Sequence, residues 1–411
     1  MFTNDYLANF IHRDLLIGGP LNSIVTPYIE ALHAQRYAKH TIDGYLCSVT
    51  HFGCWMKTKG AELSSVDLAL IEQFLQDQLS SADSAPFGFS IHTDRAALRH
   101  LLHFLPHHPP KNSIEVELER FSDYLTNICG IAPQTCADRC RHVGQFLVSQ
   151  FGNEIPVILP LTGAQIEDFL TTQSRLWRPA SLRTFSSSLR SYFRFRTFQG
   201  EPTTALSAAL PRIPVWKQAT LPKVLSDTQV AAFLNAFDCA DPVGMRDYAI
   251  ARCLLDLGLR GHEVTYLTLD SVNWRSATLT IGSNKSKRVQ QLPLPVSTGQ
   301  AIAHYLLKAR PQTSNRALFV RHRAPFDQPL SVPAIRNAMN RAFVRSDLRE
   351  LFCNTHALRH TTATRLQRSG ASIKEIADLL RHQSLDTAST YARVDLDSLR
   401  AVALPWPGSL S

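Results

Sequence analysis

No stretch of this 411-residue chain approaches the roughly 18–20 consecutive apolar residues that a membrane-spanning helix needs. The first residues also lack a leader-like apolar core, because Asp5 and the Arg13-Asp14 pair interrupt them. Eight cysteines are present but none forms a Cys-x-x-Cys, so neither a disulfide framework nor a zinc ribbon is expected. Cys136 and Cys140 stand one helical turn apart, yet no nearby Cys/His pair completes a metal site. We read the cysteines as reduced, buried thiols of a cytoplasmic protein. His356 and His360 have helical metal-ligand spacing, but Ala357 stands where a zinc hydrolase carries glutamate, and no third ligand is evident. Neither a metal nor a cofactor is expected. Acidic residues are also in deficit. The 34 Asp and Glu fall short of the 43 Lys and Arg, and the formal charge of +9 hints at a polyanionic partner without identifying one.

What is present begins with an internal repetition. Thr41, Val49 and Phe52 are echoed by Thr135, Val143 and Phe146, and Ile71, Phe74 and Leu75 by Ile166, Phe169 and Leu170. Leu98, Arg99 and Phe104 are echoed by Leu189, Arg190 and Phe195. The echoes recur at roughly ninety residues, which predicts two helical units. Pro106 to Pro110 reads as the joint, giving units 1–110 and 111–202.

The second unit closes on a basic, aromatic segment. Arg175, Arg178, Arg183, Arg190, Arg194 and Arg196 interleave with Trp177, Phe185, Tyr192, Phe193 and Phe195, and only Glu201 opposes them. A helix of this kind packs its rings inward and offers guanidiniums to phosphates, so the six arginines are candidate DNA contacts. The first unit is more balanced, with Asp67, Glu72 and Asp77 offsetting its bases. It is expected to serve protein contacts or outer DNA.

Residues 203–221, flanked and interrupted by Pro202, Pro211, Pro214 and Pro222, read as an extended linker. Ser226 then opens a helix, and another runs from about Val243 to Leu257 and stops at Gly258, just before Arg260 and Glu263. A strand pair follows, from Ala277 to Ile281 and from Val289 to Leu294, with Lys285, Lys287 and Arg288 in the loop between. Arg336, Arg341, Arg345 and Arg349 spread over a helical region as solvated or DNA-facing charge.

The densest chemistry lies between His356 and Tyr391. His356 and Arg359 share a helical face at three-residue spacing. Gly370 closes that helix, and Ser372 and Glu375 form a capping box for the next, whose apolar stripe is Ile373, Ile376, Ala377 and Leu380. His382 ends it, and Tyr391 comes nine positions later. Guanidinium forks match non-bridging phosphate oxygens, and an oriented phenol can act as a nucleophile.

This stretch resembles the catalytic core of the tyrosine recombinases, the phage-integrase family, which carries His-x-x-Arg, a later His or Trp and a Tyr nine residues on. One departure stands out: the family usually has Gly where this chain has Arg381. The resemblance implies a mainly α fold with a small β-sheet. Two N-terminal helical SAM-like modules of core-binding type would precede an integrase-like catalytic domain, residues 222–411, ending in a tail. It implies Arg260, Arg359 and His382 on the scissile phosphate, Glu263 supporting Arg260, and Tyr391 as nucleophile. His356 would be base or proton relay, and Lys285 the leaving-group acid, with Lys287 as the alternative. The expected enzyme is a bacterial, nucleoid-associated, site-specific recombinase of a mobile element, independent of metal and ATP. Its partners would be double-stranded DNA, its own copies in a tetramer on paired sites, and partner recombinases. A type IB topoisomerase and a non-catalytic DNA-binding accessory protein are the alternatives.

Overall fold

The computed structural model describes residues 10–80, 91–105, 113–152, 156, 158, 161–214, 222–282, 289–350 and 354–381. The chain divides into two compact units, Met1–Ala31 with Lys39–Lys217, and Leu32–Ala38 with Gln218–Ser411.

The first unit is helical. Helices Asn22–Ala34, Lys39–Lys59, Leu68–Ser80 and Ile91–Phe104 are followed by Ser113–Asp123, Pro133–Phe151, Gly163–Ser174 and Pro179–Phe198. The echoed letters are echoed packing positions. Phe52 meets Phe74 edge-on with centroids 5.3 Å apart, and Phe146 meets Phe169 at 5.4 Å. Tyr28 lies 5.3 Å from Phe104, as Phe121 lies 5.5 Å from Phe195. Each pair removes large apolar faces from water in an orientation that aromatic quadrupoles favour. Local signals set the boundaries: Pro133 and Pro179 sit in first turns, where their missing N–H costs nothing, and Thr162 and Gln165 form a capping box.

One expectation fails here. Residues 203–214 are not an extended linker, because Thr204–Ala209 is a helix, and Leu206 and Leu210 join the core of the second helical series. Pro202 and Pro211 bracket that helix without entering it, so its Ala- and Leu-rich interior follows its own propensity.

In the second unit, Asp241 caps helix Pro242–Asp256 by accepting from the Gly244 N–H at 3.1 Å. Ala249, Ile250, Cys253 and Leu254 of this helix are buried in a core with Phe233, Ile302, Tyr305, Met339 and Phe343. A short β1, Val272–Asn273, pairs with the first of the two expected strands. Those two form β2, Thr278–Ile281, and β3, Gln290–Pro293, antiparallel with Leu279 opposite Leu292. Helix His356–Arg368 is not strongly amphipathic, and buried threonines tie it in. Thr361 Oγ1 accepts from the Leu225 N–H at 2.9 Å, and Thr362 Oγ1 donates to the Leu255 carbonyl at 2.5 Å. Helix Ile373–Leu379 has the expected capping box and buries Ile376, Ala377 and Leu380. Ile373 is exposed instead, since it stands at the first helical position, outside the packed stripe.

Candidate active site

Three backbone segments converge. Helix Pro242–Asp256 runs out into Gly258, whose φ of +58° turns the chain toward Arg260 and the short helix Gly261–Thr265. Helix His356–Arg368 carries His356 and Arg359. The end of helix Ile373–Leu379 supplies Leu380 and Arg381.

Arg359 is buried and locks the segments together. Its Nη1 donates to the Gly258 carbonyl and its Nη2 to the Leu380 carbonyl. Two backbone dipoles thus fix a guanidinium that keeps its full charge. Arg260 is the N-cap residue of helix Gly261–Thr265, and the Glu263 carboxylate accepts from its backbone N–H at 2.7 Å and from its Nη1 at 2.9 Å. Its Nη2 reaches the Arg381 carbonyl at 3.3 Å. The Arg260 side chain is 30% exposed, so it remains open to a ligand while anchored on its inner side.

Arg381 adopts a φ of +56°, so the helix ends in a left-handed residue even without the glycine that would ease it. Its guanidinium is nearly buried and grips Glu263, Nε to Oε1 at 3.2 Å and Nη2 to Oε2 at 2.8 Å. Burial pushes the Glu263 carboxyl up, but the Arg381 hydrogen bond and charge, and then those of Arg260, outweigh it and hold its pKa below the ordinary value. The carboxylate therefore stays ionised between two arginines.

His356 keeps a solvent-facing edge. Desolvation by the surrounding protein, followed by the charges of Arg359 and Arg260, lowers its pKa. His360, with its ring centroid 6.3 Å from that of His356, is brought down to about 4 by burial and then by His356 and Arg359. Both rings are neutral near pH 7. Fixed guanidiniums beside a neutral imidazole have the chemistry to oppose a growing anionic charge such as that of a pentacoordinate phosphorus.

The model of the phage integrase family matches residues 223–397, the segment that holds all of these side chains. The tyrosine recombinase XerD of Corynebacterium glutamicum is 31% identical over 54% of this chain and 71% of its own length. This chain belongs to the phage integrase family of tyrosine recombinases. The protein y4rA of Sinorhizobium fredii is 29% identical over 97% of this recombinase and 98% of its own length. Among solved structures, the XerH site-specific recombinase bound to palindromic difH substrate has a similar fold, with a TM-score of 0.55 at 18% identity. That likeness covers 82% of this chain and 95% of XerH.

Of the expected site residues of the recombinase, Arg260, Glu263, His356 and Arg359 lie in the described part: Arg359 holds the Gly258 and Leu380 carbonyls, Glu263 holds Arg260, and His356 feels the charge of both arginines. Lys285, with its alternative Lys287, and His382 and Tyr391 lie outside the described residues. The partner that sequence reading missed is Arg381, noticed as a departure and not as a ligand of Glu263. The one signal in the sequence was the departure itself, an arginine where the family usually has glycine; nothing near it pointed to Glu263, 118 positions away.

The six candidate DNA arginines separate into two kinds. Arg175, Arg178, Arg183 and Arg194 are exposed. Arg196 is drawn inward, its side chain 12% exposed, donating to Glu117 at 2.5 Å and to both oxygens of Glu201. Tyr192 Oη donates to the same Glu117 oxygen at 2.8 Å. Arg190 donates to the Leu210 and Pro211 carbonyls at 2.7 and 2.9 Å. These last two arginines tie the helical unit together through carboxylates and carbonyls of the protein. The cysteine pair is likewise structural: Cys136 Sγ lies 3.3 Å from Ser122 Oγ, and burial pushes the Cys140 thiol up to about 12.

Proposed function

We propose that this recombinase acts site-specifically on duplex DNA as the integrase or transposase of a mobile element. The observation that carries the reading is the pair of guanidiniums on one scaffold, with Arg359 fixed by the Gly258 and Leu380 carbonyls and Arg260 by Glu263. A fixed donor pair opposes developing charge without reorganising during the reaction.

In this mechanism the Tyr391 phenol oxygen attacks phosphorus as the bond to the 5′-oxygen breaks. The phenol proton passes to His356, whose lowered pKa leaves it free to accept, and Lys285 protonates the departing oxygen. His382 donates a hydrogen bond to the phosphate. The 3′-phosphotyrosyl link retains the bond energy, so a 5′-hydroxyl can reseal the strand with neither ATP nor a metal. Arg175, Arg178, Arg183 and Arg194 would grip the backbone, and the DNA-bound XerH neighbour supports a duplex as the ligand. The repeated ring contacts support two core-binding-type modules ahead of the catalytic domain, the second extending past residue 202 to take in Leu206 and Leu210. A tetramer of copies on two duplexes, alone or with partner recombinases, would complete strand exchange.

The test is covalent trapping on a nicked duplex. Tyr391→Phe should bind its site and form no denaturant-resistant DNA complex. A persistent covalent complex would assign the nucleophile elsewhere.

A further inference from the structure

We infer that Arg381 is a positioning residue of the cleavage reaction, a guanidinium that sets Glu263 and through it Arg260. The inference rests on the recombinase function proposed for this chain and adds a residue to its machinery.

The geometry is specific to a guanidinium. Arg381 presents Nε and Nη2 to the two oxygens of Glu263, and it spends Nη1 on the Leu379 carbonyl at 2.7 Å, inside its own helix end. Nη2 also reaches the Gly258 carbonyl at 3.4 Å, the acceptor that holds Arg359. At the same time the Arg381 carbonyl receives Arg260 Nη2. Backbone and side chain of one residue thus touch Arg260, its carboxylate partner and the carbonyl beneath Arg359.

The backbone conformation argues that this is not incidental. A φ of +56° disfavours any residue with a Cβ, and a glycine would adopt it freely. The side chain contributes what glycine cannot, the fork that holds both oxygens of Glu263. Without it, Glu263 would be a mostly buried carboxylate held by Arg260 alone, each oxygen left with a single donor where it now has two. Arg260 would lose the definition of its inner face, and with it the placement of its outer donors on a phosphate. Charge points the same way. Three guanidiniums crowd this site, and Arg381 shares with Arg260 the one negative charge that both contact. A Lys at 381 would bring the charge without the planar, pre-organised fork, so geometry matters as well as charge.

The experiment compares wild type, Arg381→Gly, Arg381→Lys and Glu263→Gln on a suicide duplex that accumulates the covalent complex. Wild type must form that complex; if it does not, the recombinase reading itself fails, and the variants are not at issue. Given wild-type cleavage, Arg381→Gly should lower its thermal midpoint modestly, because relief of the strained φ offsets only part of what the buried Glu263 pair loses. It should keep DNA affinity within about threefold while cleaving at least about tenfold more slowly. Millimolar free guanidinium should recover part of that rate in Arg381→Gly and none in Glu263→Gln. Arg381→Lys should fall between wild type and Arg381→Gly. Cleavage by Arg381→Gly at the wild-type rate overturns the inference. So does a slow, thermally destabilised Arg381→Gly that guanidinium leaves unchanged, which would place Arg381 in the fold alone.

Discussion

Gly258 and Leu380 meet so closely that a methyl group on Gly258 would clash with Leu380 Cδ2. The turn that delivers Arg260 and the helix end that delivers Arg381 are interlocked at this point. Gly258→Ala should therefore cost about 1–2 kcal/mol for the left-handed backbone and about 1–3 kcal/mol for the clash. It should also slow covalent cleavage, since both arginines shift. Urea unfolding and suicide-substrate cleavage read the two effects, and a variant within about 0.5 kcal/mol of wild type would show that the packing yields freely.

Arg194 and Arg196 are two residues apart and should behave in opposite ways. Replacing exposed Arg183 and Arg194 by Gln should weaken DNA binding and reduce the salt dependence, by about 0.9 in log–log slope for each phosphate left without its cation. Arg196→Ala should instead cost about 3–5 kcal/mol of stability, because it strands the buried Glu117 carboxylate. Salt titrations and denaturation on both proteins check this. A salt-slope change in Arg196→Ala with stability intact would return that residue to the DNA face.

Lys285→Ala should cleave ordinary DNA poorly and recover on DNA whose 5′ leaving oxygen is sulfur, because a thiolate leaves without a proton. Recovery in Lys287→Ala, and not in Lys285→Ala, would move the acid along the hairpin loop.

Stability should fall with acid in a defined window. Burial, then Arg246, brings His322 to about 4, and burial, then His356 and Arg359, brings His360 to the same value. The unfolded chain takes up protons as pH falls through 6.5, while the folded rings stay neutral until about 4, so protonation favours unfolding between those values. Melting temperatures should drop across that window. The double variant His322→Gln, His360→Gln should flatten the drop, and an unchanged slope would assign the titration to other groups.

A chain beginning at Lys111 should keep cleavage of a short core duplex and lose assembly or strand exchange on longer DNA. The first helical series sets Glu72 against both Arg95 and Arg99, at 3.0 and 3.3 Å, which leaves its last helix little charge for phosphates. Failure of the shortened chain to bind the short duplex would make the first series part of the clamp.

Local order was legible where it depends on neighbours in sequence. The capping box at Ser372 and Glu375, the turn at Gly258 and the ring positions repeated between Phe52 and Phe146 all follow from short-range chemistry and periodicity. The chemistry expected of the site was read from residue types, because only certain side chains serve a phosphodiester. Partner choice was not. Arg381 and Glu263 stand 118 positions apart, and Arg196 and Glu117 stand 79 apart. In sequence each of these arginines looks like the basic residues around it. An exposed guanidinium and a buried one differ only in which carboxylate or carbonyl the fold brings within about 3 Å. That proximity, with the low dielectric around it, fixed Arg196 as a structural tie and Arg381 as a support of the site.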